Sequence, residues 1–263
     1  MMLKGKVAVV YGAGGAIGGA VARGFAREGA RLFVTGRHGP RVDAVAKEIV
    51  AAGGWAESAQ VDSLDEGSVE EHLRAVVEKA GRIDISFNAV GIPSTGVQGV
   101  PMVDLKVEQF ALPISTLTRS NFLTARHAAR LMVPRKSGVI MSVTSIMSRT
   151  GIPNVGGLGP AMSAQECLTR ELSAELAAHG IRVVGLRVQG MPETATIKEA
   201  FDLHSKALGI SPEQFRGFVA SRTHTQRLPT LAELVDVAAF MASDEASAVT
   251  GSVVNLSMGS LDD

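Results

Sequence analysis

Short apolar runs alternate along this chain with stretches whose apolar residues recur every three or four positions. Residues 7–10 are apolar throughout and mostly branched, as in a parallel strand covered on both faces. Residues 17–28 then carry small and apolar residues at helical spacing. The rhythm continues with strands at 31–35, 56–61, 83–87, 139–143, 181–188 and 252–256. Helices are expected at 41–52, 66–80, 116–133, 160–178 and 231–242, with loops at 91–105 and 145–157. Repeated βα units with right-handed crossovers build one α/β domain over 1–263, a doubly wound, parallel, seven-stranded sheet with helices on both faces. Only 190–228 breaks the pattern; its short, more polar helical pieces predict a cap over a cleft.

The first strand runs into Gly12-Ala13-Gly14-Gly15-Ala16-Ile17-Gly18, a Gly-x-x-x-Ala-x-Gly turn that opens a helix. Without side chains in the way, the backbone amides and the positive end of the helix dipole suit a pyrophosphate. A tight turn that binds nothing has a similar composition, so the spacing alone is moderate support for a nucleotide. In sheets of this type ligands bind beyond the carboxyl ends of the strands, where the strand order switches. That line runs through residues 12–18, Arg37, Asp62, Asn88 to Gly91, Ser145 and Gln189.

Composition narrows the chemistry. Lys plus Arg and Asp plus Glu both number 26, so no net field draws the 263-residue chain to nucleic acid or an anionic membrane. No apolar run reaches the length of a membrane span, no secretory leader precedes the first strand, and a cytoplasmic protein is expected. The single cysteine, Cys167, excludes an internal disulfide; its helical, apolar setting predicts a buried, inert thiol, and no metal-ligand spacing is present. The only tyrosine is Tyr11, beside the glycine turn.

With these positions in place, the chain resembles the short-chain dehydrogenase/reductase family over essentially its whole length, which implies a Rossmann fold and a nicotinamide dinucleotide. The glycine turn is similar to the family's TGxxxGxG, with Tyr11 in place of Thr and Ala16 in the middle slot. Asp62 falls on the family's adenine-side aspartate, and Asn88-Ala89-Val90-Gly91 resembles its NNAG. The segment 180–184 and the closing pattern of Ser243, Asp244 and Thr250-Gly251 also match. The resemblance thus implies a cofactor site at Gly12, Gly14, Gly15, Ala16, Ile17, Gly18, Asp62, Asn88, Ala89 and Gly91. Arg37 joins it on its chemistry: glycine, not an acid, occupies 36, and arginine pairs with a 2′-phosphate, so NADP(H) is favoured over NAD(H).

The departures fall at the reactive end. The family uses a serine, a tyrosine with a lysine four residues later, and a helix asparagine that supports a proton relay. Ser145 matches the serine, but Leu158 and Met162 stand in the Tyr-x-x-x-Lys slots and Leu117 in the asparagine's, with Asn121 one turn away. Neither leucine nor methionine carries a proton, and a positioned acid contributes ~10²–10⁴-fold. The remaining candidate donors are His204, His224 and Glu193 in the cap, expected as solvated surface groups, and Glu166, expected at an oligomer contact. Two functions therefore stand: an oxidoreductase of degenerate active site acting on an unknown small molecule, or a catalytically silent nucleotide-binding protein or partner subunit of an active paralogue. Apolar positions Phe122, Ala125, Ala129 and Met132, with Leu168, Leu172 and Leu176, exceed what one sheet face covers; with the resemblance they imply a homodimer or homotetramer.

Overall fold

The computed structural model describes residues 1–262. Seven strands form one parallel sheet in the order β3-β2-β1-β4-β5-β6-β7. They are β1 (Val7–Tyr11), β2 (Arg31–Gly36), β3 (Trp55–Gln60), β4 (Ile85–Asn88), β5 (Gly138–Ser145), β6 (Ile181–Val188) and β7 (Ser252–Leu256). The order reverses between β1 and β4, and the crevice above that junction is where this topology places a ligand. No helix is long and apolar enough to cross a membrane among the described residues.

Strand alternation sorts side chains to two faces. Ala8 and Val10 of β1 join one core with α1 (Ala16–Arg27), α2 (Gly39–Ala51) and α8 (Leu231–Ala242). Val7, Val9 and Tyr11 join the other, beneath α3 (Glu66–Ala80) and α4 (Val107–Met132), with half-buried residues of α5 (Leu158–Leu176). Each fully buried aliphatic side chain contributes ~1.5–3 kcal/mol of apolar transfer energy. Glycine inside α1 weakens the helix intrinsically by ~1 kcal/mol per residue, yet Gly24 is required. A Cβ there would lie 2.1 Å from Val235 Cγ1, so its absence lets α1 and α8 close on each other.

The departures from expectation have local causes. Helix α4 starts at Val107, not near 116, because Pro113 is accommodated inside it. Proline cannot donate to the carbonyl four residues back, which is why it reads as a boundary. Here the first turn is fastened instead by Gln109 Oε1, which accepts from Lys106 N at 3.1 Å. Cys167 is exposed on α5, not buried. On the dimer-predicting positions, Ala125, Ala129 and Met132 are spent on this chain's own core, whereas Phe122 remains 43% exposed.

The segment 190–228, expected as a cap, contains α6 (Ala195–Leu208) and α7 (Pro212–Ser221). Thr194 and Ser211 accept from the amides of Ile197 and Gln214 and so start the two helices. His204 is not a solvated surface group: it is buried, stacked on Phe215 with centroids 5.4 Å apart, and its Nε2 lies 3.2 Å from Gln98 Oε1.

Candidate active site

Strand β1 delivers the chain to Gly12, whose φ of +72° is open to glycine and strained for other residues. The space is as restrictive as the dihedral. A Cβ on Gly12 would sit 2.6 Å from Ala89 O, and one on Gly18 would sit 2.4 Å from Gly12 O. These two glycines let the β1 turn, the β4 turn and the first helical turn pack backbone to backbone. Gly15 has another role. It is the exposed N-cap of α1 and offers no side-chain cap, so the amides opening the helix are left for an external acceptor. A Cβ at Gly91 would meet nothing within 4 Å, leaving that side of the crevice open.

The neighbouring residues shape the crevice in different ways. Asn88 is buried and its side chain is committed: Nδ2 donates to Ser120 Oγ and Thr124 Oγ1, each at 2.9 Å, and Oδ1 accepts from Val90 N at 3.0 Å. It pins the β4 turn to α4 and presents the backbone of Ala89 to Gly91. Asp62 Oδ1 accepts from Leu64 N at 3.0 Å, which fixes the turn after β3. Arg37 is exposed at the end of β2. The sequence reading missed Arg41, which belongs beside it: a Cβ on Gly14 would meet Arg41 Cβ at 3.0 Å, so a second arginine flanks the glycine turn. Its position one turn into a helix hid that approach.

Tyr11 does not narrow this crevice. Its side chain points into the core shared with Val61, Val69 and Phe33, where the hydroxyl is buried with no partner among the described residues. Burial pushes its pKa above the ordinary tyrosine value, so it has no access to proton transfer.

At the reactive end, Ser145 closes β5, half-buried, and its hydroxyl accepts from Met147 N at 3.2 Å. Leu117 from α4 and Leu158 from α5 meet in one apolar cluster with Val97, Val155 and Ala161, and Met162 packs against it. All three departures from the family's proton machinery are thus brought together in one apolar cluster. Asn121, one turn along α4, does not substitute; its Nδ2 donates to Leu117 O at 3.1 Å.

Glu166 on α5 is buried in its own chain, not set at an oligomer contact. It pairs with Arg187 (Nε to Oε1 2.8 Å, Nη2 to Oε2 2.9 Å) and accepts from Ser148 Oγ at 2.5 Å and Thr144 Oγ1 at 3.2 Å. Burial pushes its pKa up, but the Arg187 bond and charge with the two hydroxyl bonds outweigh it, and the net shift is downward. Such a carboxylate holds no proton to give at neutral pH. The Glu193 carboxylate accepts from Leu231 N at 2.7 Å.

A doubly wound parallel sheet with an uncapped glycine turn at its switch point defines a dinucleotide-binding α/β protein. A family model described as Enoyl-(Acyl carrier protein) reductase matches residues 12–260. The chain belongs to the short-chain dehydrogenase/reductase family of oxidoreductases, with its NAD(P)-binding Rossmann fold. It is 32% identical over 249 residues to the uncharacterized oxidoreductase YxbG of Bacillus subtilis (strain 168), covering 95% of this chain and 88% of that protein. Among solved structures, a variant of actinorhodin polyketide ketoreductase with NADPH is similar at TM-score 0.89 and 26% identity, covering 97% and 96% of the two chains. NAD+-bound xylitol dehydrogenase is similar at TM-score 0.91 and 25% identity, covering 97% and 98%.

Proposed function

We propose that this chain binds NADP(H) across the β1–β4 crevice and that its reactive end does not carry acid-assisted carbonyl reduction. The amides of Ala16, Ile17 and Gly18 would take the pyrophosphate, with Gly12, Gly14 and Gly15 giving it room. Asp62 would take the adenine side, and the Asn88, Ala89 and Gly91 backbone the nicotinamide half. Arg37 and Arg41, with no acid at Gly36, favour a 2′-phosphate over free ribose hydroxyls. A bound nicotinamide dinucleotide supplies or accepts a hydride at the ligand beside it. The chain's part in that chemistry is where it departs from its family.

The observation that carries this reading is the apolar cluster of Leu117, Leu158 and Met162. A hydride delivered to a carbonyl leaves an alkoxide that needs a proton, and losing a positioned donor costs ~10²–10⁴-fold in rate. Calorimetric titration with NADPH and NADH tests the binding half: saturable binding, tighter for NADPH, is expected, and no binding of either ends the proposal. Leu158→Tyr with Met162→Lys tests the other half by restoring carbonyl reduction to a nearly inactive wild type. Robust wild-type turnover of ketones overturns it.

Retention of Ser145 favours a second reading, an oxidoreductase acting on an unknown small molecule that brings or needs no protein-derived proton. A wild-type reaction abolished by Ser145→Ala selects it. In either case the chain is proposed as a single domain and as a homodimer or homotetramer, supported by exposed Phe122 on α4. The lone cysteine suits a reducing cytoplasm.

A further inference from the structure

The loop between β4 and α4 packs against the reactive end of the cleft through Val97 and, partly buried, Ile92. Residues 94–99 form a compact turn in which Val97 N and Gln98 N both donate to Ser94 O, at 3.0 and 2.9 Å. Only Val97 of this turn joins the cluster with Leu117 and Leu158, and it is 1% exposed. Gly96 and Gly99 flank it at φ +78° and +81°.

The opposite side of the turn is fastened to α6. The Glu199 carboxylate accepts from Ser94 N at 3.4 Å, from Thr95 N at 3.0 Å and from the Thr95 hydroxyl. His204 Nε2 lies against Gln98 Oε1, and Gly99 is so close to α6 that a Cβ would meet Leu203 Cβ at 3.1 Å. Gly99 N donates to Asn154 O at 2.8 Å on the far wall. One aliphatic side chain is thus inserted beside the positions where the family places its acid and relay. Its polar fastenings lie on α6 and, through Asn154 O, on the opposite wall.

We propose that residues 94–99 are a displaceable strap, with Val97 the built-in occupant of an apolar ligand site formed by Leu117, Leu158, Met162, Ile114 and Ile152, and that the ligand of this site is an uncharged apolar chain. The inference rests on the reading of the cleft given under Proposed function. A chain that buries the same wall replaces Val97's contacts, so displacement costs the fastenings to α6 and the Gly99–Asn154 bond, each a hydrogen bond of modest net worth. An ionised ligand is disfavoured by its desolvation against this wall of aliphatic side chains. The two glycines absorb the backbone rotation that releases Val97.

Calorimetry and amide hydrogen exchange on the full-length protein test this with 1-octanol, octanoate and sorbitol as probes. Octanol is expected to bind saturably and to speed exchange in the peptide spanning 94–99, while octanoate and sorbitol do neither. Val97→Ala is expected to bind octanol about tenfold tighter, the worth of roughly two competing methyl groups. Glu199→Gln should speed exchange at 94–99 without any probe. Unchanged exchange in the sheet peptides certifies that both variants fold. Failure of octanol to bind, an affinity indifferent to Val97→Ala, or equal binding of octanoate each overturns the proposal. NADPH affinity, titrated separately, reports on the cofactor site, so loss of that reading is distinguishable from loss of the strap.

Discussion

Glu166 on α5 and Arg187 on β6 meet through two parallel hydrogen bonds, of 2.8 and 2.9 Å, one helical turn beyond Met162. Both are almost wholly buried, at 3% each. Removing one member of such a pair typically costs ~3–5 kcal/mol, because the other charge stays desolvated, whereas an apolar replacement of both is often tolerated. Arg187→Leu and Glu166→Leu should each lower urea stability by about that amount. The double variant should lose less than the sum, a coupling read from the double-mutant cycle.

Gly18 has no room for a methyl group. Its Cβ would press on backbone atoms of Gly12, which cannot move without opening the turn. Gly18→Ala should cost ~1–3 kcal/mol by overpacking and abolish NADPH binding in calorimetry. Normal affinity in this variant would show that the turn does not hold the cofactor.

Arg37 and Arg41 flank the turn where β2 ends without an acid. Arg37→Gln should weaken NADPH binding by ~1.5–3 kcal/mol, the scale of a charge-assisted hydrogen bond, and leave NADH unchanged. Arg41→Gln should act in the same direction. Equal losses for the two cofactors would remove the argument for a 2′-phosphate partner.

The Tyr11 hydroxyl is buried without a partner among the described residues. Leaving such a donor unsatisfied costs ~1–3 kcal/mol, so Tyr11→Phe should be neutral or stabilising in thermal unfolding. It should leave cofactor affinity intact. A marked loss of stability would mean that the hydroxyl is solvated or bonded in solution.

Acid should weaken the fold through His72. Burial lowers its pKa from 6.5 to about 4, against a smaller upward pull from the Glu57 carboxylate. The unfolded chain therefore takes up this proton at higher pH than the folded one. The contribution is complete above pH 6.5 and is lost as pH falls from there towards 4. His204, also lowered by burial, acts in the same direction. His72→Phe should flatten the stability profile in that window; an unchanged slope in denaturant titrations would assign it elsewhere.

The sequence by itself determined the layered α/β fold, because strand and helix periods and glycine punctuation are local properties. It also located the crevice, because ligands of such sheets gather at strand ends and the relevant residues fall at the end of each apolar run. Leu158, Met162 and Leu117 were legible as losses only through the family resemblance, which marks the positions of the acid, its lysine and the relay asparagine. What those residues became in space was decided only by tertiary structure. That Leu117 and Leu158 meet, and that Val97 from a loop completes their cluster, depends on packing between segments up to 61 residues apart. His204 read as a solvated group and Glu166 as an oligomer contact because charge and polarity predict positions outside the core on average. Their burial follows from partners, Arg187 for one and Gln98 with Phe215 for the other, that lie on different elements. Tyr11 sits beside the cofactor turn in sequence, yet strand alternation turns its ring into the opposite layer. Adjacency along the chain fixed its position; the pleat of β1 fixed its surroundings.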